Sequence, residues 1–287
     1  MTIKEKLDSS AQLLKEKNID GGRLNVELML SEILGCRRMD LYLEFDKPLK
    51  TAEEKLIDEY IERRINHEPL QYILAKSIFY GLEFKVNRSV LIPRPETELL
   101  VEKILNDIKD SGAKEVKIFE VGCGSGCISV TIAKKLKEFG IFFEIFSIDV
   151  SQDAVDLSIE NLKFNSPDEV GVRFYTKDVF EIDKLTKSFD YIISNPPYIP
   201  VDDYMQLDAE VKEFEPDISL TDFGNGLKFY EQIFLIASNS ELKVKIFCEI
   251  GFGQKAKLED QLSKYNFRNV CFHKDYNNIY RILEVEV

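Results

Sequence analysis

Val116-Lys117-Ile118-Phe119-Glu120-Val121 runs directly into Gly122-Cys123-Gly124-Ser125-Gly126, and an amphipathic stretch from Ser129 to Phe139 follows. An apolar strand, a glycine turn and a helix in succession are the opening unit of an α/β sheet. The pattern then repeats: Phe142 to Ile148 reads as a strand, Gln152 to Asn165 as a helix, Val172 to Tyr175 as a strand and Phe189 to Ser194 as another. Such alternation predicts a mostly parallel sheet covered on both faces. Lys243 to Ile250 adds a strand, and 270–274 with 280–287 reads as a closing antiparallel pair.

Ahead of this region the chain is different. Leu7, Leu13 and Leu14 lie in a polar stretch; Leu24 to Leu34 forms a more apolar helix closed by Gly35; Thr51, followed by Glu53 and Glu54, opens a helix that ends before Pro69. The expected organisation is a helical domain over 1–70, a hairpin linker over 71–95 built around Phe79-Tyr80-Gly81-Leu82, and an α/β domain over 96–287. Prolines in Pro93-Arg94-Pro95 close an extended segment, and Glu96 or Thr97 is expected to begin the helix Leu99 to Ile108.

The chain has 287 residues, 44% hydrophobic and 31% charged, and a net charge of −13. These values are those of a globular protein with a real core. No apolar run approaches the ~20 residues that span a bilayer, and the first residues lack a signal-peptide core, so a cytoplasmic protein is expected. Five scattered cysteines point to reduced thiols; Cys123 and Cys127 read as packing residues, and no metal site is expected. Acidic side chains outnumber basic ones both before and after residue 70, and no Lys/Arg stripe suits a nucleic-acid backbone. The charge favours a basic partner, or serves solubility alone.

Chemistry converges at the carboxyl ends of four strands, where open α/β sheets bind ligands. The glycine turn, Glu120-Val121-Gly122-Cys123-Gly124-Ser125-Gly126, lets backbone N–H groups approach a ligand, although it lacks the GxGxxG dinucleotide spacing. Asp149 ends the second strand and suits ribose hydroxyls, or else caps the helix behind Ser151. Asp178 and Val179 follow the third and suit an adenine edge and face. Asn195-Pro196-Pro197-Tyr198 follows the fourth: a stiff notch with two acceptors, the Asn195 side-chain oxygen and the Pro196 carbonyl, beside a flat ring. That arrangement suits a planar NH2 group. Alone, the tetrapeptide reads as a proline-rich strand exit with an aromatic plug; four such groups in order do not.

The constellation resembles the class I S-adenosylmethionine-dependent methyltransferases, of which NPPY marks the members that methylate planar nitrogens. With Glu68-Pro69, Gln71-Tyr72-Ile73-Leu74, Phe79-Tyr80-Gly81-Leu82, Pro93-Arg94-Pro95-Glu96-Thr97-Glu98 and Glu249-Ile250-Gly251 added, nearly the whole chain is similar to the HemK/PrmC family of release-factor glutamine methyltransferases. Ala75, Val179, Asn225 and the segment Asn278-Ile279-Tyr280-Arg281 depart from the family pattern. The resemblance implies a Rossmann-like, mostly parallel seven-stranded sheet and methyl transfer from S-adenosylmethionine to the glutamine amide of Gly-Gly-Gln in class 1 peptide chain release factors. It assigns the cofactor to Glu120, Gly122, Cys123, Gly124, Ser125, Gly126, Asp149, Asp178, Val179 and Asn195. Catalysis falls to Asn195, Pro196 and Tyr198, and substrate binding to these with Pro197, Arg94 and Glu96. Recognition of the protein substrate falls to residues 1–70, and a monomer that binds neither nucleic acid nor membrane is expected. An amino-methyltransferase acting on adenine or guanine, and a non-catalytic cofactor-binding protein, are the two alternatives.

Overall fold

The computed structural model describes residues 1–240 and 243–287. It contains two compact units, Met1–Lys76 with Asp208–Phe214, and Ser77–Leu207 with Glu215–Val287.

The first unit is helical: α1 (Ile3–Glu16), α2 (Gly22–Leu34), α3 (Thr51–Ile65) and α4 (Leu70–Leu74). Ile3, Leu7, Val26, Met29, Leu30, Ile57 and Ile61 form its core. Thr2 and Glu5 start α1 with a capping box, each satisfying the other's backbone N–H. Gly35 ends α2 in the left-handed conformation, as expected of a helix-terminal glycine. Thr51 is the first residue of α3, and the cap before it is Lys50, whose N–H donates to the Glu53 carboxylate.

The second unit starts at Ser77, within the hairpin of β1 (Lys76–Phe79) and β2 (Leu82–Lys85). Tyr80 and Gly81, both at positive φ (52° and 75°), make the tight connection that matches strand twist. The elements α5 (Pro95–Asp110), β3 (Glu115–Val121), α6 (Cys127–Glu138), β4 (Phe142–Asp149), α7 (Gln152–Asn165), β5 (Val172–Thr176) and β6 (Tyr191–Ser194) come next. Helix α5 begins at Pro95, two residues before Thr97, because the proline's fixed φ and missing N–H suit the first helical position. The short helix α8 (Val201–Tyr204) follows in this unit; α9 (Ala209–Phe214) lies in the stretch that belongs to the first unit; and α10 (Lys228–Asn239), β7 (Lys245–Glu249), α11 (Lys255–Leu262), β8 (Arg268–Lys274) and β9 (Tyr280–Glu286) complete the second. Helix α10 has no counterpart in the sequence reading, although Tyr230, Ile233, Phe234 and Ala237 carry helical spacing and are all buried.

The seven-stranded sheet has the order β5-β4-β3-β6-β7-β9-β8. Five strands are parallel, and β9 returns antiparallel to both β7 and β8. Alternation along β3 splits the core: Val116 and Ile118 face one cluster with α5 and α6, whereas Phe119 and Val121 face the other with α10. The chain order reverses between β3 and β6, the point at which such a sheet opens a crevice beyond its carboxyl edge.

Candidate active site

The glycine turn is pinned before any ligand is considered. Gly122 and Cys123 donate their N–H groups to the Ile148 carbonyl of β4 (2.9 and 3.1 Å). Gly122, Gly124 and Gly126 all sit at positive φ (77°, 53° and 76°), which side-chain-bearing residues rarely adopt. Helix α7 holds the turn from its other side: Ser158 donates to the Gly124 carbonyl (2.9 Å) and Asn161 to that of Ser125 (2.9 Å). The same Asn161 exchanges hydrogen bonds with the Lys85 backbone, so the hairpin and the turn share one anchor.

A cavity of about 320 Å³ lies over this turn, within the usual range for a small-molecule site. Asp149 lines it, and its two oxygens accept from Gly124 N (2.9 Å) and Ser151 N (3.0 Å). Burial raises the Asp149 carboxyl above its ordinary value, opposed by those backbone donors. The cap of α7 is Ser151, whose hydroxyl accepts from Ala154 N, so capping does not account for Asp149. Asp178 and Val179 line the same cavity, with Asp178 accepting from Phe180 N (2.9 Å).

Asn195, Pro196 and Pro197 form another wall. Asn195 Nδ2 donates to Thr97 Oγ1 (3.1 Å), and Thr97 Oγ1 donates to Glu249 Oε2 (2.6 Å). The Asn195 amide therefore turns its nitrogen inward, and its oxygen accepts no hydrogen bond among the described residues. Burial pushes the Glu249 carboxyl up to about 7, against the pull of the Thr97 and Tyr198 hydroxyls. Arg94 lines the cavity and pairs with the buried Glu215, which also accepts from Ile92 N (3.1 Å).

Four of the residues named from sequence, Glu120, Glu96, Tyr198 and Gly126, stand away from the cavity wall. Glu120 is wholly buried, its Oε2 accepting from Ser129 and from Ser147 (2.7 Å) while Oε1 has no partner. Strand alternation explains this, since Glu120 shares the parity of Ile118 and turns toward α6. Glu96 is exposed on the first turn of α5. Tyr198 packs its ring over Gly251, where an added Cβ would meet Cδ2 at 2.9 Å, and donates its hydroxyl to Glu249 Oε1 (3.3 Å). Gly126 belongs to the turn without facing the cavity; a Cβ there would meet Ser158 at 3.1 Å. Cys123 and Ser125 do line it. Cys127 is buried with its thiol pushed up to about 12 by desolvation, in keeping with a packing role. All five cysteines are free, and no cluster among the described residues could hold a metal.

Sequence reasoning passed over Thr97, Glu249 and Gln254 as site residues. Gln254 bridges three segments: its amide donates to the carbonyls of Tyr198 (2.8 Å) and Gly226 (3.1 Å) and its oxygen accepts from Gly251 N (2.8 Å). For Glu249 a signal was present, an acid closing the apolar strand Lys245-Ile246-Phe247-Cys248. For Gln254 there was none, because its partners lie far away in sequence.

Residues 5–74 match the model of the PrmC N-terminal domain, and residues 95–209 that of the methyltransferase small domain. A release factor glutamine methyltransferase of Chlorobaculum tepidum is 35% identical over 287 residues, covering 98% of this chain and 95% of that protein. One from Geobacter sulfurreducens is 36% identical over 284 residues, with the same coverage of both chains. This chain belongs to the release factor glutamine methyltransferase family. Among solved structures, the catalytic domain of hMettl16 in complex with a MAT2A 3'UTR hairpin has a TM-score of 0.54 at 14% identity, covering 82% of this chain and 80% of that one. At that identity the likeness concerns the fold alone, which this family shares with other methyltransferases. No helix among the described residues is long and apolar enough to cross a membrane.

Proposed function

We propose that this protein transfers a methyl group from S-adenosylmethionine to the side-chain amide nitrogen of the glutamine in the Gly-Gly-Gln motif of class 1 peptide chain release factors. The observation that carries the reading is Asn195, which offers its oxygen at the cavity because Thr97 holds its nitrogen.

The cradle fits the cofactor on the chain's own terms. Gly124 faces the cavity with nothing within 4 Å of where a Cβ would stand, and the Asp149 carboxylate sits beside it. The turn and Asp149 would hold the cofactor, with Asp178 and Val179 toward its base. Bound S-adenosylmethionine supplies an activated methyl group, which leaves positioning of the nucleophile to the protein.

An amide nitrogen is a weak nucleophile, since its lone pair is delocalised into the carbonyl; in a peptide bond rotation out of that conjugation costs about 18–20 kcal/mol. Asn195 Oδ1 and the Pro196 carbonyl accept the two amide hydrogens of the substrate glutamine, orient its nitrogen, and stabilise positive charge as it develops. Attack on the methyl group would first give an N-methylated amide cation, which is strongly acidic and loses its extra proton to water, so no dedicated base is needed. His67 and His273 take no part in the cavity wall. Residues 1–70 are assigned to recognition of the protein substrate.

Incubation of a release factor with this protein and cofactor, followed by peptide mass spectrometry, tests the reading. A single added methyl on the glutamine of Gly-Gly-Gln is expected. Methylation of naked DNA or ribosomal RNA with none on the factor overturns it in favour of a nucleobase substrate, and cofactor binding without turnover on either reduces the protein to a binding module.

A further inference from the structure

The notch contains a buried acid that the reaction as described does not use. Glu249 closes β7, is 1% exposed, and spends each carboxyl oxygen on a different hydroxyl: Oε2 on Thr97 (2.6 Å) and Oε1 on Tyr198 (3.3 Å). An apolar residue of similar volume would fill the space without the cost of desolvating a carboxyl. Its two partners come from separate elements, the first turn of α5 and the tetrapeptide after β6.

We propose that Glu249 is a positioning residue: by accepting the hydrogen bond of the Thr97 hydroxyl, it fixes the Asn195 amide with its nitrogen inward and its oxygen toward the substrate. This rests on the function proposed above. The reasoning is one of hydrogen-bond direction. Thr97 has a single hydroxyl hydrogen. Given to Glu249 Oε2, it leaves only lone pairs facing Asn195, and only the NH2 end of that amide can answer them. Without an acceptor at Glu249, the Thr97 hydroxyl is free to donate to Asn195 instead. The amide then turns over and presents NH2 to the NH2 of the glutamine, donor against donor, and the acceptor needed in the transition state is lost. The hydrogen bond from Tyr198 to the other oxygen ties the last residue of the tetrapeptide to the same carboxyl, so one side chain sets both ends of the notch.

Four single variants, one double variant and one spectrum test the assignment. Thr97→Val keeps the shape and deletes the relay; Thr97→Ser keeps the hydroxyl. Glu249→Met deletes the acceptor, and Glu249→Gln restores one. In the full-length protein, Thr97→Val and Glu249→Met are each expected to lower kcat on the release factor roughly tenfold or more, the worth of one hydrogen bond of about 1.4 kcal/mol. The KM for the factor and the affinity for S-adenosylmethionine are expected to stay within about threefold, and Thr97→Ser and Glu249→Gln to recover most of the kcat. The double variant Thr97→Val/Glu249→Met is expected to lose little more than either alone, because both cut one chain. An unchanged kcat in Thr97→Val, additive losses, or no recovery in the conservative variants overturns the proposal. Slow exchange of the Asn195 side-chain NH2 protons in the wild-type protein, lost in Thr97→Val, reads the same orientation by NMR without any substrate. A wild-type protein inert on release factors yet protected at Asn195 defeats the proposed function and leaves the orientation standing; fast exchange in the wild type defeats the orientation.

Discussion

In the proposed reaction a substrate amide would meet the amide of Asn195, so the worth of that side chain depends on which end it shows. Replacing it by alanine removes the acceptor and leaves Thr97 without its donor. Asn195→Ala is expected to lower single-turnover methylation by about 10²–10³, the cost of deleting one preorganised group at a developing charge. Cofactor affinity should fall much less, since the carboxylate beside the glycine turn is untouched. A folded variant with near-normal turnover would return the tetrapeptide to a strand exit. The ring of Tyr198 is wedged over Gly251, whereas its hydroxyl makes a single long hydrogen bond at 3.3 Å. Tyr198→Phe is therefore expected to keep most activity, and a loss as deep as that of Asn195→Ala would place the hydroxyl in the chemistry.

At the scale of elements, the tetrapeptide is held by a loop that precedes α10. Gly226 sits at φ +80°, and an added Cβ there would lie 2.2 Å from the Tyr198 carbonyl oxygen and 2.9 Å from Gln254 Nε2. Gly226→Ala is expected to destabilise the protein by about 2–4 kcal/mol, combining backbone strain with a clash against backbone; denaturant unfolding with unchanged stability would mean that this loop swings free. The long periodic elements were legible in the sequence: α7 was read residue for residue, and β3 to β6 within two residues at either end, because apolar alternation and helical spacing are local signals. The cavity-facing glycines, Asp149 and Asn195 were legible for the same reason, each marking the end of a strand. Thr97 was legible only as a helix-start residue, since a hydroxyl's partner across the sheet leaves no trace in its neighbours. Glu120 misled because the parity that turns it inward counts from a strand register invisible in a motif. The two short helices α8 and α9 carry too few residues for a period.

For the whole molecule, the buried carboxyls of Glu120 and Glu249 are expected to give stability a pH dependence. Burial pushes Glu120 up to about 7, opposed by Ser129 and Ser147 and reinforced by the charge of Asp149, and Glu249 is raised to about the same value. A carboxyl raised on folding binds more protons in the native state than in the unfolded one. Its contribution is fully present below the unfolded value and is lost as pH rises through the folded one, at about 1.4 kcal/mol per pH unit per group in that window. Glu120→Gln removes one such group, so the fall in unfolding free energy between pH 4.5 and 7 is expected to be shallower than in the wild type. Parallel slopes in denaturant titrations across that range would show that Glu120 is already ionised when buried.

The helical unit is discontinuous: Asp208–Phe214 belongs with Met1–Lys76, and Arg64 reaches Asn25 (2.8 Å), the Glu68 carbonyl (3.0 Å) and Glu210 (2.8 Å) within it. Grafting the first 76 residues of a relative onto this chain is expected to give a lower melting temperature than grafting them together with the relative's counterpart of 208–214, and equal values would show that the short stretch is a passenger. The consequence concerns inheritance. A recombination event near residue 76 would transfer only part of this unit, and the buried guanidinium of Arg64 would then meet a 208–214 stretch of different origin in place of its Glu210 carboxylate.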